Sequence, residues 1–256
     1  FKKKISNKNQ QLLVTIKDPI TSKTINYSVS NDTTLWRAQS LFKKEPITIE
    51  WIRSFKKNSV FYDVGANVGM YSIFAGYVSD VKVYSFEPES NNFQILMENI
   101  LANNLGSKIN PYPIGISNVS GLTTLHLSKF EKGSSHHMVG ESLDHNLNKK
   151  EVKLTQGIFS STLDDLNKIW KLPKPNYLKI DVDGIEYKII EKSQNLLRSK
   201  ELQSVLIEIN PKRDQDKQII KTLESFDFFY DQKQVDEAKR KFGTHIGYAE
   251  YLFYKK

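Results

Sequence analysis

The chain has 256 residues, of which 39% are hydrophobic and 26% are charged, a composition typical of a globular protein with one domain, or one domain and an appendage. No apolar run reaches about eighteen residues, which excludes a membrane-spanning helix. The absence of cysteine excludes disulfides, thiolate metal sites and cysteine nucleophiles. We expect a cytoplasmic protein, and because the chain begins at Phe1 it is either a trimmed chain or a domain of a longer polypeptide.

The net charge of +8 is concentrated in the N-terminal quarter. Residues 1–60 contain twelve Lys and Arg against four Asp and Glu, whereas the remaining residues are balanced. Such a segment attracts a phosphate-bearing substrate, an anionic membrane face or RNA, or it is simply a solvated surface. Aromatic residues do not alternate with these lysines as base stacking would require, so nucleic acid is the less favoured partner.

Two segments near the N-terminus, 11–18 and 24–30, have the composition of strands, and the turn sequence PITSK joins them. They predict a β-hairpin, and the apolar spacing over 45–57 predicts a helix after it. We expect residues 1–44 to form a basic hairpin extension and residues 45–256 to form the main domain.

From Val60 onward, strand-like runs alternate with segments of helical periodicity. The strand-like runs are 60–62, 81–89, 109–117, 122–128, 176–184 and 203–210, with a closing antiparallel pair at 226–230 and 248–254. The helical segments follow Gly69 and Gly184 and occupy 90–105, 161–170 and 218–226, and 129–150 predicts a polar loop. This alternation predicts an α/β fold with a parallel sheet covered by helices on both faces, and ligands at the carboxyl ends of its strands.

The helix predicted over 90–105 has recognisable ends. Ser90 is placed to cap its N-terminus, and Gly106 stands where a C-cap belongs. Its apolar stripe includes Met97 and Leu101.

The stretch FYDVGANVGMYSIFAG, residues 61–76, joins a strand that ends at Asp63 to a helix through Gly65 and Gly69. Glycine lets a backbone approach a ligand closely and the helix N-terminus offers N–H groups, so the unit predicts a nucleotide-like ligand. The middle glycine of the dinucleotide fingerprint is missing, and Asp63 would repel a pyrophosphate. The pattern disfavours an NAD-dependent oxidoreductase and favours a ligand with an ammonium or a sulfonium.

Glu87 follows Gly65 by 22 residues and ends the next strand. A carboxylate at this position accepts hydrogen bonds from ribose hydroxyls. A ligand with a ribose, a positive charge and no phosphates is S-adenosylmethionine.

Several motifs in order along the chain resemble the FkbM-type methyltransferases. They are KEPITIEWI, YDVGANVGMYS, VYSFEPESNNFQILMENI, STLDDL, YLKIDVDGIEYKII and VLIEIN. The resemblance implies a Rossmann-like, seven-stranded, mostly parallel sheet of the class I methyltransferase type. It also implies S-adenosylmethionine as methyl donor and an oxygen acceptor, often a sugar hydroxyl.

Matching positions in this resemblance imply a set of cofactor-binding residues. They are Glu45, Thr48, Asp63, Gly65, Ala66, Asn67, Gly69, Glu87, Pro88, Ile116, Ser117 and Asp181, with Gly115 near the adenine. The chain departs from the family pattern at Asp183, where a glutamate is usual, and at Gly115 and Asn118 on either side of Ser117.

Lys179, Asp181 and Asp183 alternate with apolar residues on the strand YLKIDVD. An unpaired ammonium is very costly to bury, so a lysine in a central strand needs a counter-charge. We expect Glu208 on the next strand to provide it.

Transfer of a methyl group to an alcohol needs good positioning and a base that removes the hydroxyl proton. Acids at the end of the 176–184 strand lie over the expected position of the methyl group. The candidates are Asp181 first, then Asp183 and Glu186, and the histidines His136, His137 and His245. Each histidine is also explained as a surface residue.

A magnesium site is an alternative use of the same strand ends. Asp181, Asp183, Glu208 and Asn210 offer the hard oxygen donors that Mg²⁺ prefers, and a metal can lower the pKa of a hydroxyl group. Their spacing is not diagnostic, so a site without a metal is preferred and the magnesium site stays an alternative.

Together these observations predict an S-adenosylmethionine-dependent O-methyltransferase for a sugar hydroxyl of a polysaccharide, glycolipid or other glycoconjugate, fused to or associated with glycosyltransferase domains. The basic N-terminal segment is expected to cover the cofactor or to hold an acidic acceptor. An RNA methyltransferase and a non-catalytic cofactor-binding module are the alternatives.

Overall fold

The structure is a computed structural model that describes residues 12–135, 137–140, 152–182, 184–241 and 246–256. The strands are β1 (Leu12–Lys17), β2 (Thr24–Val29), β3 (Val60–Val64), β4 (Lys82–Phe86), β5 (Ile109–Tyr112), β6 (Gly115–Ile116), β7 (Gly121–Leu127), β8 (Met138–Val139), β9 (Leu154–Ser161), β10 (Tyr177–Ile180), β11 (Ser204–Ile209), β12 (Phe228–Tyr230) and β13 (Ala249–Lys255). The helices are α1 (Asp32–Ser40), α2 (Pro46–Arg53), α3 (Met70–Val78), α4 (Ser90–Ala102), α5 (Leu163–Lys168), α6 (Glu186–Glu191), α7 (Gln194–Arg198), α8 (Asp214–Ser225) and α9 (Gln232–Ala238). Within these ranges, no helix has the length and apolar character needed to cross a membrane.

The central sheet has seven strands in the order β12-β13-β11-β10-β3-β4-β5. The strands are parallel except for β13, which runs antiparallel to both β11 and β12. This confirms the predicted seven-stranded, mostly parallel sheet and its closing antiparallel pair. Strand order reverses between β3 and β10, so a ligand is expected at the carboxyl ends of these two strands.

Two apolar cores lie on opposite faces of this sheet, and β3 shows how one strand serves both. Phe61 belongs to the core that contains the N-terminal helices and α3, whereas Tyr62 and Val64 belong to the core on the other face. Side chains in a strand alternate between faces, and a strand buried on both sides therefore reads as a continuous apolar run.

The predicted N-terminal hairpin is present as β1 paired antiparallel with β2. It is attached to α4 by Asn99, whose Oδ1 accepts the Ser28 N–H at 2.6 Å while its Nδ2 donates to the Val68 carbonyl at 2.7 Å. Tyr27 also donates its hydroxyl hydrogen to the backbone carbonyl of Met70 at 3.1 Å. The division of the chain at residue 44 stays a prediction.

Four elements were not predicted from the sequence, α1, β8, β9 and α9, and β8 lies within residues 129–150, which were predicted to form a polar loop. Helix α1 begins at a capping box, in which Asn31 Oδ1 accepts the Thr34 N–H at 2.8 Å and Thr34 Oγ1 accepts the Asn31 N–H at 3.2 Å. Strand β9 pairs with β6 and β7 in a separate sheet of the order β6-β9-β7-β8. This small sheet and α1 both contribute to the cavity described below.

The predicted ends of α4 were wrong in detail. Glu89, and not Ser90, is the N-cap, because its carboxylate accepts two backbone N–H groups of the first turn at 2.8 and 3.0 Å. Asn104, and not Gly106, takes the left-handed conformation after the helix, with φ of 55°. Met97 and Leu101, placed on the predicted apolar stripe, are exposed.

Candidate functional site

A cavity of about 280 Å³ opens at the carboxyl ends of β3, β4 and β10, where the strand order reverses. A smaller cavity of about 40 Å³ adjoins it beneath the glycine turn. The two cavities share Arg37, Lys44, Gly65, Asn67 and Asp181 in their walls.

The glycine turn after β3 brings the backbone against its neighbours so closely that no side chain fits. A Cβ atom on Gly65 would lie 1.9 Å from the carbonyl oxygen of Asp181, and the φ of Gly65 is +77°. The N–H groups of Gly65 and Ala66 both donate to the carbonyl of Phe86, at 3.0 and 3.1 Å. This part of the cavity wall is therefore bare backbone, which a ligand can approach closely.

Glu87 lies at the end of β4 and lines the main cavity, with only 5% of its surface exposed. Its Oε2 accepts the N–H of Asn67 at 2.8 Å, and its Oε1 accepts the N–H of Glu89 at 2.9 Å. The left-handed conformation of Asn67, with φ of 51°, presents that N–H to the carboxylate. Two backbone groups thus fix the orientation of the carboxylate, and Pro88 continues the wall beside it.

The end of the cavity beyond Glu87 is apolar. Ile116 lies there together with Leu125 and Val139 of the small sheet. At Gly115, a Cβ would lie 3.0 Å from Ile158 and 3.1 Å from Val139, so a larger residue would press on this wall. The result is an apolar slot next to a buried carboxylate.

These three parts fit S-adenosylmethionine by their chemistry. The apolar slot suits an adenine, the fixed carboxylate of Glu87 suits two ribose hydroxyls, and the exposed backbone at Gly65 leaves space for the methionine part. Asp181 supplies negative charge beside that space, as a sulfonium or ammonium requires.

Lys179 is fully buried in β10 and pairs with acids of its own strand and of β3. Its Nζ lies 3.1 Å from Asp181 Oδ2 and 3.9 Å from Asp63 Oδ1. Burial lowers the pKa of Lys179, but these two carboxylates raise it more, so that it lies above its ordinary value. The predicted pairing of Lys179 with Glu208 is therefore wrong, because closer acids satisfy the ammonium.

Glu208 pairs instead with Arg240, which follows α9. The same guanidinium lies 3.6 Å from Glu45 Oε1, which also binds Lys44. Burial and the Asp181 carboxylate raise the pKa of Glu208 to about 8, although the Arg240 charge opposes them. Glu208 is thus a cavity-lining acid that pairs with Arg240 and has a pKa close to neutrality.

Glu45 and Thr48 lie behind the cavity wall and do not line either cavity. Thr48 donates its hydroxyl hydrogen to Glu250 Oε1 at 3.1 Å. Burial, together with the charge of Glu45, holds the pKa of Glu250 well above its ordinary value. Two buried carboxyl groups in contact cannot both be ionised at low cost.

Three of the predicted cofactor-binding residues do not line either cavity. They are Asp63, Gly69 and Ser117. Asp63 is buried and accepts a hydrogen bond from Ser72 at 2.6 Å. Gly69 starts α3 with φ of +82°, where a Cβ would lie 2.4 Å from Leu96. Ser117 donates its N–H to the carbonyl of residue 161 at 3.0 Å.

Glu186 faces the turn between β10 and α6, and it does not line the cavity. Its Oε1 accepts the N–H groups of Val182 at 3.1 Å and Gly184 at 3.2 Å, and its Oε2 lies 3.6 Å from Arg213. Burial raises the pKa of Glu186 to about 7. These contacts indicate that Glu186 shapes the turn.

Two of the three predicted histidines, His136 and His245, lie outside the described residues, and so does the acid Asp183. His137 lies in the cavity wall, and its Nε2 is 2.9 Å from Ser134 Oγ.

The part of the chain that the structure describes contains no group of three acids or histidines suited to a metal. Of the predicted metal ligands, Asp181 pairs with Lys179 and Glu208 with Arg240. Asn210 accepts the N–H of residue 212 through its side-chain oxygen at 3.0 Å.

Sequence reasoning missed the contribution of α1, which places Trp36 and Arg37 in the cavity wall. It also missed Asn92 and Arg240. A signal for α1 was present, because Asn31 followed three residues later by Thr34 is a capping pattern before a helical segment. The positions of Asn92 and Arg240 follow from tertiary packing and have no local signal.

Comparisons with known proteins show the family and the fold of the chain. Residues 63–230 match the model of the Methyltransferase FkbM domain. A relative named Hexuronic acid methyltransferase AglP, from Haloferax volcanii, is 24% identical over 184 residues, which are 72% of this chain and 70% of the relative.

Two solved structures share the fold at low identity. Precorrin-6y C5,15-methyltransferase from Geobacter metallireducens has a TM-score of 0.50 and 12% identity, with 90% of this chain and 94% of that chain covered. Methyltransferase FkbM from Methylobacillus flagellatus has a TM-score of 0.50 and 13% identity, with 88% of this chain and 56% of that chain covered. Both support the class I methyltransferase fold.

Proposed function

The chain belongs to the FkbM methyltransferase domain family, and we propose that it is an S-adenosylmethionine-dependent O-methyltransferase for a sugar hydroxyl of a polysaccharide, glycolipid or other glycoconjugate. The observation that carries the proposal is the buried carboxylate of Glu87, fixed by two backbone N–H groups beside a bare glycine turn. The name of the AglP relative, a hexuronic acid methyltransferase, supports a sugar as the acceptor.

When bound, S-adenosylmethionine supplies a methyl group on a positively charged sulfur. Glu87 would accept the ribose hydroxyls, and the apolar slot at Ile116 would hold the adenine. The Asp181 carboxylate lies in the walls of both cavities and would balance the positive charge. Holding donor and acceptor together in this way would supply much of the rate.

We assign the acceptor proton to Glu208. An alcohol is a poor nucleophile until a base takes its proton, and a base works best when its pKa lies near the working pH. Glu208 lines the cavity, and burial together with the Asp181 charge raises its pKa to about 8. Asp181 is the second acid at the reaction centre, held in place by Lys179 at 3.1 Å.

Two measurements test the proposal. Calorimetry with S-adenosylhomocysteine should show stoichiometric binding, and incubation with S-adenosylmethionine labelled in its methyl group should transfer the label to glycan oligosaccharides. NMR of the product should place the methyl group on a sugar oxygen. Absence of binding would contradict the cofactor assignment, and transfer of label to RNA instead of glycans would contradict the acceptor class.

A further inference from the structure

Arg37 of α1 is a cation in the cavity wall that lacks an acidic partner within the described residues. Its Nε donates to the carbonyl of Gly133 at 2.7 Å. The other two arginine or lysine side chains in the main cavity wall are paired, Lys44 with Glu45 and Arg240 with Glu208. An arginine whose Nε is anchored in this way still offers terminal N–H donors, which match the geometry of a carboxylate.

Trp36, the neighbour of Arg37 on α1, lines the same cavity and is 51% exposed. Trp combines a large apolar ring with a polar N–H group, so a half-exposed indole at a cavity mouth suits a ligand that is both apolar and polar. A pyranose ring is such a ligand, because its C–H face is apolar and its hydroxyls are polar.

Helix α1 lies outside the matched family region, although Arg37 also lines the small cavity beneath the glycine turn. The family match covers residues 63–230, which contain the glycine turn, Glu87 and Ile116. Trp36 and Arg37 precede that match. This part of the cavity wall is therefore specific to the chain's N-terminal segment and not to the matched domain.

We propose that Trp36 and Arg37 form the acceptor subsite and that the acceptor is a uronic acid, whose carboxylate pairs with the guanidinium while its ring face packs on the indole. The proposal rests on the proposed function and narrows its acceptor from sugars in general to acidic sugars. The methionine carboxylate of the cofactor is the other carboxylate that Arg37 is able to reach, and the experiment below distinguishes the two.

The experiment measures sugar binding by calorimetry on enzyme saturated with S-adenosylhomocysteine. The probes are methyl β-D-glucuronide and methyl α-D-galacturonide, each compared with the corresponding neutral methyl glycoside. At least one uronide should bind about tenfold more tightly than its neutral counterpart, the effect expected of a hydrogen-bonded charge. Arg37→Gln should remove this preference, and Arg37→Lys should retain part of it.

Lys43→Gln is the matched control, because it removes the same charge from an exposed position nearby that does not line the cavity. It should leave the preference unchanged. Trp36→Ala should weaken the uronide and the neutral glycoside by similar factors, and Trp36→Phe should restore part of the loss. Thermal unfolding of each variant verifies that it is folded.

Three results would overturn the proposal while leaving the proposed function intact. They are equal or undetectable binding of uronides and neutral glycosides, a preference that survives Arg37→Gln, and a loss of S-adenosylhomocysteine affinity in Arg37→Gln with the sugar preference unchanged. The last result would assign Arg37 to the cofactor. Failure of the wild-type enzyme to bind S-adenosylhomocysteine would instead overturn the proposed function itself.

Discussion

Two carboxylates face the same cavity from opposite sides of the strand-order reversal, and they are held in different ways. Glu87, after β4, is held by two backbone N–H groups. Glu208, in β11, is held by Arg240, which belongs to a distant part of the chain and also approaches Glu45. Two backbone N–H groups orient Glu87, so we call this the fixed side of the cavity. The pKa of Glu208 is raised to about 8, so the Glu208 side responds to pH near neutrality.

The largest effect should come from the responsive side. Glu208→Gln removes the proposed base and should lower kcat about a thousandfold. In the wild-type enzyme, kcat/KM should rise with pH through an apparent pKa well above the ordinary 4.5 of a glutamate, because the ionised form accepts the proton. Arg240→Gln removes the opposing charge and should move that rise to higher pH. A profile that does not move in Arg240→Gln would contradict the role of Glu208.

The fixed side should be intolerant of added atoms. Gly65→Ala places a Cβ 1.9 Å from the Asp181 carbonyl in a backbone conformation with φ of +77°, so it should cost about 3 kcal/mol or more in the free energy of unfolding. Gly106→Ala is the control, since no atom lies within 4 Å of its added Cβ. Urea denaturation measures both variants, and equal stabilities would show that the turn yields.

Loss of the Glu87 carboxylate should lower the affinity for the cofactor. Glu87→Ala should weaken S-adenosylhomocysteine about a hundredfold or more, because two hydroxyls lose a charged acceptor. Glu50→Ala, which removes an exposed carboxylate of α2 outside the cavity wall, should leave the affinity close to that of the wild type. Calorimetry compares the two variants, and similar affinities for both would remove Glu87 from the cofactor site.

The smallest effect should come from Glu186, a buried acid that shapes a turn. Burial raises its pKa from 4.5 to about 7 in the folded protein, so ionisation is less favourable there than in the unfolded chain. Its contribution to stability is therefore complete below about pH 4.5 and falls as the pH rises towards about 7. The free energy of unfolding of Glu186→Gln, relative to wild type, should rise by about 2 kcal/mol between about pH 5 and pH 8. A pH-independent difference would contradict this assignment.

The same contrast explains how much of the molecule was predictable from sequence. The glycine turn and Glu87 can be recognised in the sequence because each lies in a short segment. In each segment a strand is followed by a glycine or an acid, and then by the start of a helix. The strand alternation in turn predicted the sheet and its binding edge. Asp181 was predicted at the cavity because the strand before it was predicted, although β10 ends at Ile180 and not at residue 184.

Partners brought together by packing were not predictable. Lys179 had three acids within reach in principle, and only the positions of its strand neighbours decide that Asp63 and Asp181 bind it. Arg240 has no motif, yet it binds Glu208. The interpretation of α4 failed similarly: the sequence favours Ser90 as the N-cap, but the carboxylate of Glu89 accepts two backbone N–H groups of the first turn.

Asn99 has a consequence for protein engineering. Its buried amide accepts the N–H of Ser28 in the hairpin and donates to the carbonyl of Val68 in the glycine turn. A chimera that exchanges N-terminal segments between relatives needs to exchange residue 99 as well. Otherwise the buried backbone N–H of residue 28 loses its acceptor, at a cost of about 1–3 kcal/mol, and the carbonyl of Val68 in the glycine turn loses its side-chain donor.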